Sequence, residues 1–141
     1  MMFRPLGAEE IFNQWERLGT MLAPAVRQSP NGMAIQQVFS KLMIGQCLCF
    51  AVEAPGVEGV LVFEIFDEDG KVKCFSSYIA GHVAGGPRRW VATMRAIMAE
   101  LERRLAAAGC VENYIGGRDW SRVFPDYLPV DDVPNRLRKV L

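Results

Sequence analysis

At 141 residues and 50% hydrophobic composition the chain is long enough to bury one core, and no composition shift or linker divides it, so a single domain over residues 1–141 is expected. Sixteen basic and sixteen acidic side chains cancel, which argues against the basic footprint of a nucleic-acid binder. The chain does not open on a basic segment followed by a long apolar run, and no stretch nears the roughly 20 apolar residues that span a bilayer. A soluble protein with neither signal peptide nor membrane-spanning segment is therefore expected.

In chain order, residues 1–6 read as a short strand. Residues 8–23 carry Ile11, Phe12, Trp15, Leu18 and Leu22 on one helical face, and Pro24 is expected to stop that helix. Ser29-Pro30-Asn31-Gly32 is turn chemistry, after which Ile35, Val38, Phe39, Leu42 and Met43 mark a second amphipathic helix ending near Gly45. Residues 47–53 and 59–67 read as strands joined around Ala54-Pro55-Gly56. Asp67-Glu68-Asp69-Gly70 then closes on the Asp-Gly pair that marks a hairpin and leads into a further antiparallel strand at 71–80.

Residues 81–86, rich in glycine, break this strand, and Pro87 suits the first turn of a helix, where a missing N–H costs nothing. Trp90, Met94, Ile97, Met98, Leu101 and Leu105 recur at helical spacing, and Gly109 is placed to end the helix in the left-handed conformation. Residues 111–115 read as a strand which, reached through a helix, should lie parallel to the strand at 71–80. A short helix and an extended segment at 136–141 complete an α/β (α+β) fold, with a mixed, mostly antiparallel central sheet flanked by helices.

Cys47, Cys49, Cys74 and Cys110 have neither Cys-x-x-Cys spacing nor a paired-histidine motif, so they read as buried thiols and no metal site is expected. Two readings of Gly85-Gly86-Pro87 stand: a sharp strand-to-helix turn, or backbone N–H groups at a helix mouth that hold an anion, with Arg88 and Arg89 adding charge. In Gly116-Gly117-Arg118-Asp119-Trp120 the glycines allow a sharp turn, Asp119 can cap the next helix and Trp120 can cover the strand ends. Arg118 has three readings: an anion contact, a pair with Asp119 or Asp126, or a contact to a partner protein.

The order of elements, with a glycine-bearing turn before the long helix, resembles the GNAT (acyl-CoA N-acyltransferase) fold. Motif-level similarity runs from Ser76 to Tyr127. Ala107-Ala108-Gly109-Cys110 and Gly117-Arg118-Asp119-Trp120-Ser121-Arg122-Val123 are most similar to the small GNAT-like proteins encoded among the structural genes of tailed bacteriophages. That resemblance implies a pyrophosphate cradle of the form Gln/Arg-x-x-Gly-x-Gly/Ala. Here His82 and Gly85 match in position, Gly86 follows, and Pro87 replaces the second small residue, removing one N–H donor. It also implies a carboxylate base and a tyrosine acid. Glu64 and Glu112 are the carboxylate candidates, with Asn113 beside the latter; Tyr114 and Tyr78 lie in strands, and Tyr127 falls too late for the family's position.

The resemblance thus points to a phage protein with a degenerate acetyl-CoA site and no catalysis, a virion or assembly component found in the host cytoplasm or the virion. Its partners would be other virion or assembly proteins, with oligomerisation possible. The alternative is an N-acetyltransferase moving acetyl from acetyl-CoA to an amine, and an acyl-CoA-binding regulatory domain lies between the two. The cofactor is accordingly none, or acetyl-CoA or coenzyme A.

Overall fold

A computed structural model describes residues 1–130 and 133–141. The strands are β1 (Met2–Pro5), β2 (Leu48–Ala54), β3 (Val57–Glu68), β4 (Lys71–Val83), β5 (Glu112–Ile115), β6 (Leu128–Pro129) and β7 (Leu137–Val140); the helices are α1 (Ala8–Asn13), α2 (Trp15–Gln28), α3 (Ile35–Met43) and α4 (Pro87–Ala107). One seven-stranded sheet runs β1-β2-β3-β4-β5-β7-β6. Every pairing is antiparallel except β4 with β5, the pair joined through α4. No helix among the described residues is long and apolar enough to cross a membrane.

The core lies in two layers, one on each face of the sheet. Leu61, Phe63, Cys74 and Ile115 pack under the α4 stripe of Met94, Ile97, Met98, Leu101 and Leu105, while Val60, Val62 and Tyr78 pack under Leu18, Leu22, Val38 and Leu42 of α2 and α3. Because both faces are covered, Val60-Leu61-Val62-Phe63 are all buried, and the alternation expected of a half-exposed strand disappears there. Local chemistry sets the connections. Asp69 and Gly70 both hold positive φ (55° and 77°), as a tight two-residue hairpin turn requires, and the Asp67 carboxylate accepts the Gly70 N–H at 3.2 Å. Gly109, at φ 91°, follows the C-cap of α4 as its spacing implied.

Four expectations need correction. The helix predicted over 8–23 is two helices broken at Gln14, and the second passes through Pro24 to Gln28. Pro24 deprives one carbonyl of its partner, but Leu22 and Val26 are 0% and 3% exposed on either side of it, and burial of that apolar face carries the helix on. The break also turns Phe12 out of the core, to 65% exposure. Gly81 does not end its strand, because β4 pairs with β3 as far as Val57↔Val83. A Cβ at Gly81 would lie 2.2 Å from the Glu58 carbonyl oxygen, so the glycine is what lets the two strands close at Gly59↔Gly81.

The expected helix after β5 is a single turn, closed by Phe124 N–H to Trp120 O at 2.9 Å, and Pro125 lacks the N–H that would extend it. Finally, Arg118 pairs with neither Asp119 nor Asp126. Its guanidinium sits 4.8 Å from the Trp120 ring centre and 5.5 Å from that of Trp90, while the Asp119 carboxylate accepts the Ser121 N–H.

Leu101 is fully buried at the centre of the α4 layer. Truncation to alanine should cost about 2–5 kcal/mol in urea unfolding; a loss under about 0.5 kcal/mol would place it outside the core.

Candidate functional site

β4 pairs with β5 only over Lys73↔Glu112 to Ser76↔Ile115, and then the two diverge. Two local features produce the divergence. Tyr78 pairs with Val62 and Ser76 with Phe63, so Ser77 is an extra residue, a bulge in β4. On the other side, Gly117 at φ 91° turns the chain away from the sheet after β5. The resulting cleft encloses about 220 Å³, and six consecutive residues, Ser76 to Gly81, line it. A strand face presents alternate residues, so a consecutive run means that the edge of β4 itself forms the wall.

A buried polar knot joins Ser76 of the cleft wall to Asn113 and Tyr127, which lie outside its lining. Ser76 Oγ donates to Asn113 Oδ1 at 3.0 Å, and Asn113 Nδ2 donates to the Tyr127 hydroxyl at 2.9 Å. Asn113 is 0% exposed, and burial raises the Tyr127 hydroxyl pKa. Trp90 and Trp120, stacked at 6.0 Å and 8°, form the opposite wall; Trp120 Nε1 donates to Gly116 O, and Arg118 covers both rings. Besides Ser76, held in the knot, and Tyr78, whose hydroxyl bonds Asn31, the polar residues of the lining are Gln28, Ser77 and Arg118.

The residues carried over from the cofactor cradle do not converge. His82 lies within β4 opposite Glu58. Gly85 and Gly86 hold φ 103° and 89°, and Gly86 is the N-cap of α4, directly before Pro87. Arg89 folds back over this turn: Nη2 donates to Pro55 O at 2.6 Å, and a Cβ at Gly85 would meet its Cδ at 2.6 Å. Its guanidinium thus ties the β2–β3 turn to α4, and Arg88 remains exposed beside it.

The catalytic candidates also separate. Glu64 lies in a second cavity of about 430 Å³ between α3 and the sheet, 3.3 Å from Lys41 Nζ and 3.4 Å from Cys47 Sγ. Tyr78 reaches the same cavity, where its hydroxyl accepts Asn31 Nδ2 at 2.9 Å. Glu112 accepts the Tyr114 hydroxyl at 2.8 Å and lies 3.4 Å from Lys73 Nζ. The Tyr114 hydrogen bond, with Lys73, holds its carboxyl below the usual range. Glu112 and Tyr114 are therefore together, but at the end of the β4–β5 pairing remote from the cleft. Sequence reasoning missed the Ser77 bulge and the Ser76–Asn113–Tyr127 knot. The only available signals were two adjacent serines in a strand and an asparagine at an inward position.

A scan against protein-family models finds no match, and a search of the curated proteins finds none either.

All four cysteines are buried and free. Burial pushes Cys49 and Cys74 up to about 12, and burial together with the neighbouring Glu64 does the same for Cys47. Native protein should therefore react slowly with a thiol reagent at pH 8 and fast once unfolded. The linked stability has a definite sign. The folded state holds these protons more tightly, so stability is fully present below the ordinary thiol value of 9.0 and is lost as pH rises from there toward about 12. Melting temperature measured across that range should fall, and less steeply in a Cys49→Ala, Cys74→Ala variant.

Proposed function

We propose that the chain is a GNAT-like protein of a tailed phage, retained as a non-catalytic virion-associated or assembly component with a degenerate acetyl-CoA site. One observation carries the non-catalytic part: the candidate carboxylates are engaged away from the cleft, Glu64 beside Lys41 in the second cavity and Glu112 with Tyr114 and Lys73 at the far end of β5. Acyl transfer to an amine needs a proton acceptor within hydrogen-bond reach of the nucleophile. Supporting the degenerate site are Pro87, which removes one donor, and Arg89, which occupies the space beside Gly85. The phage assignment rests on the sequence signature around Gly117-Arg118-Asp119-Trp120, and the genes flanking this one in its source genome would test it.

A second reading, the N-acetyltransferase, is favoured by the cleft itself. The bulged edge of β4 faces a cavity that Trp90 and Met94, in the first two turns of α4, also line. Calorimetry with coenzyme A and acetyl-CoA separates the readings, alongside thiol release from acetyl-CoA in the presence of primary amines. The expected result is no saturable binding tighter than about 1 mM and no turnover. Micromolar binding would remove the degenerate-site reading, and amine-dependent turnover would establish the enzyme.

A further inference from the structure

We propose that the cleft captures the carboxyl-terminal end of a partner protein as an added strand on β4, with its terminal carboxylate on Arg118. The inference rests on the non-catalytic reading, under which the cleft is a docking site. The hydrogen bonding of β4 calls for a strand. Ala84 N–H donates to Gly56 O at 2.8 Å, so, at the two-residue period of a strand, the N–H and C=O groups of His82 and Ala80 also turn toward β3. Those of Ile79, Gly81 and Val83 turn the other way, into the space that β5 has left. They have no hydrogen-bond partner among the described residues, and they offer a row of donors and acceptors about 13 Å long.

The outer edges of the sheet, by contrast, are blunted. At β1, Phe3 O accepts Arg104 Nη2 at 3.0 Å and Pro5 has no N–H; at the other edge, β6 is two residues long and ends on Pro129. These devices stop a sheet from adding strands, and β4 beyond Ser77 has none of them. An added strand turns alternate side chains to opposite faces, and both faces are met by apolar groups: Trp90 and Met94 from α4, Met21 and Ala25 from α2. Its end is fixed as well. The β4–β5 ladder closes the cleft at Ser76↔Ile115, which bars a segment that runs on and admits one that stops. Arg118 follows three residues after Ile115 and is the only charged residue of the lining among the described residues. Its guanidinium lies over Trp90 and Trp120 with no hydrogen-bond acceptor among those residues, so it can take the carboxylate of a chain end but not an ammonium. Strand addition and carboxylate capture thus act on one segment.

Nuclear magnetic resonance titration of the isotope-labelled full chain tests it. The probes are N-acetylated hexapeptides with a free carboxyl end and Val, Ile, Leu or Phe at each of the last three positions. At least one should bind with a Kd below about 1 mM, shift the amide signals of Ile79, Gly81 and Val83, and slow their hydrogen exchange. The same peptide with its end converted to an amide should bind at least about tenfold more weakly. Arg118→Met should weaken the acid to the level of the amide and leave the amide unchanged; the acid–amide comparison in wild type needs no variant to fold. If no peptide binds, or acid and amide bind alike, the proposal is overturned and the non-catalytic reading stands. Binding that leaves Ile79, Gly81 and Val83 unshifted overturns it too. Amine-dependent acetyl transfer would remove that reading, and the proposal with it.

Discussion

The hydrogen-bonded contact among Ser76, Asn113 and Tyr127 is what the cleft half of the molecule depends on. It sits where β4 and β5 cease to pair, and it draws together both strands and the loop returning to β6. Leaving any one member unpaired in so dry a place costs a desolvation penalty of about 1–3 kcal/mol, so the knot holds as a unit. With that point fixed, β4 beyond it has no neighbour on one side, and Trp90 and Trp120 close what would otherwise be a gap through the sheet.

Where local chemistry and burial agree, the fold was legible. The α4 stripe, Pro87 at its start and Gly109 at its end, the Asp69-Gly70 hairpin and the parallel β5 all follow from periodicity and turn residues. Three of the four misreadings share a cause, in that a local signal was overruled by a partner distant in sequence; the helix after β5 is instead cut short locally, at Pro125. Pro24 should have ended a helix, but Leu22 and Val26 are buried against the sheet. Gly81 should have broken a strand, but Gly59 comes to meet it. Arg118 sits next to an aspartate yet prefers two aromatic faces, brought to it by α4 and by the turn after β5.

The site was less legible, because a site is defined by what converges and sequence spacing does not show convergence. His82, Gly85, Arg88 and Arg89 are neighbours in the chain, but the first is a strand residue, the second a turn, the third an exposed helix residue and the fourth is spent on the Pro55 carbonyl. Glu64 and Phe75 are register partners on adjacent strands, with Tyr114 on the far side of Phe75, yet Glu64 and Glu112 meet different lysines.

The extra residue at Ser77 changes how β4 as a whole can be read. Before it, Val72 and Cys74 point to the α4 layer; after it, Ile79 and Val83 do, so even-numbered positions give way to odd-numbered ones. The strand is two half-strands of opposite phase, and any hydrophobic pattern averaged across the junction cancels. Removing that one residue would set Ser76 and Tyr78 side by side opposite Phe63 and Val62, leaving both halves facing as they do now and erasing only the bulge, whereas a deletion inside either half would turn side chains to the wrong layer. The same offset lets each half accept substitutions on its own pattern, so the part of β4 that builds the sheet and the part that walls the cleft are free to diverge separately.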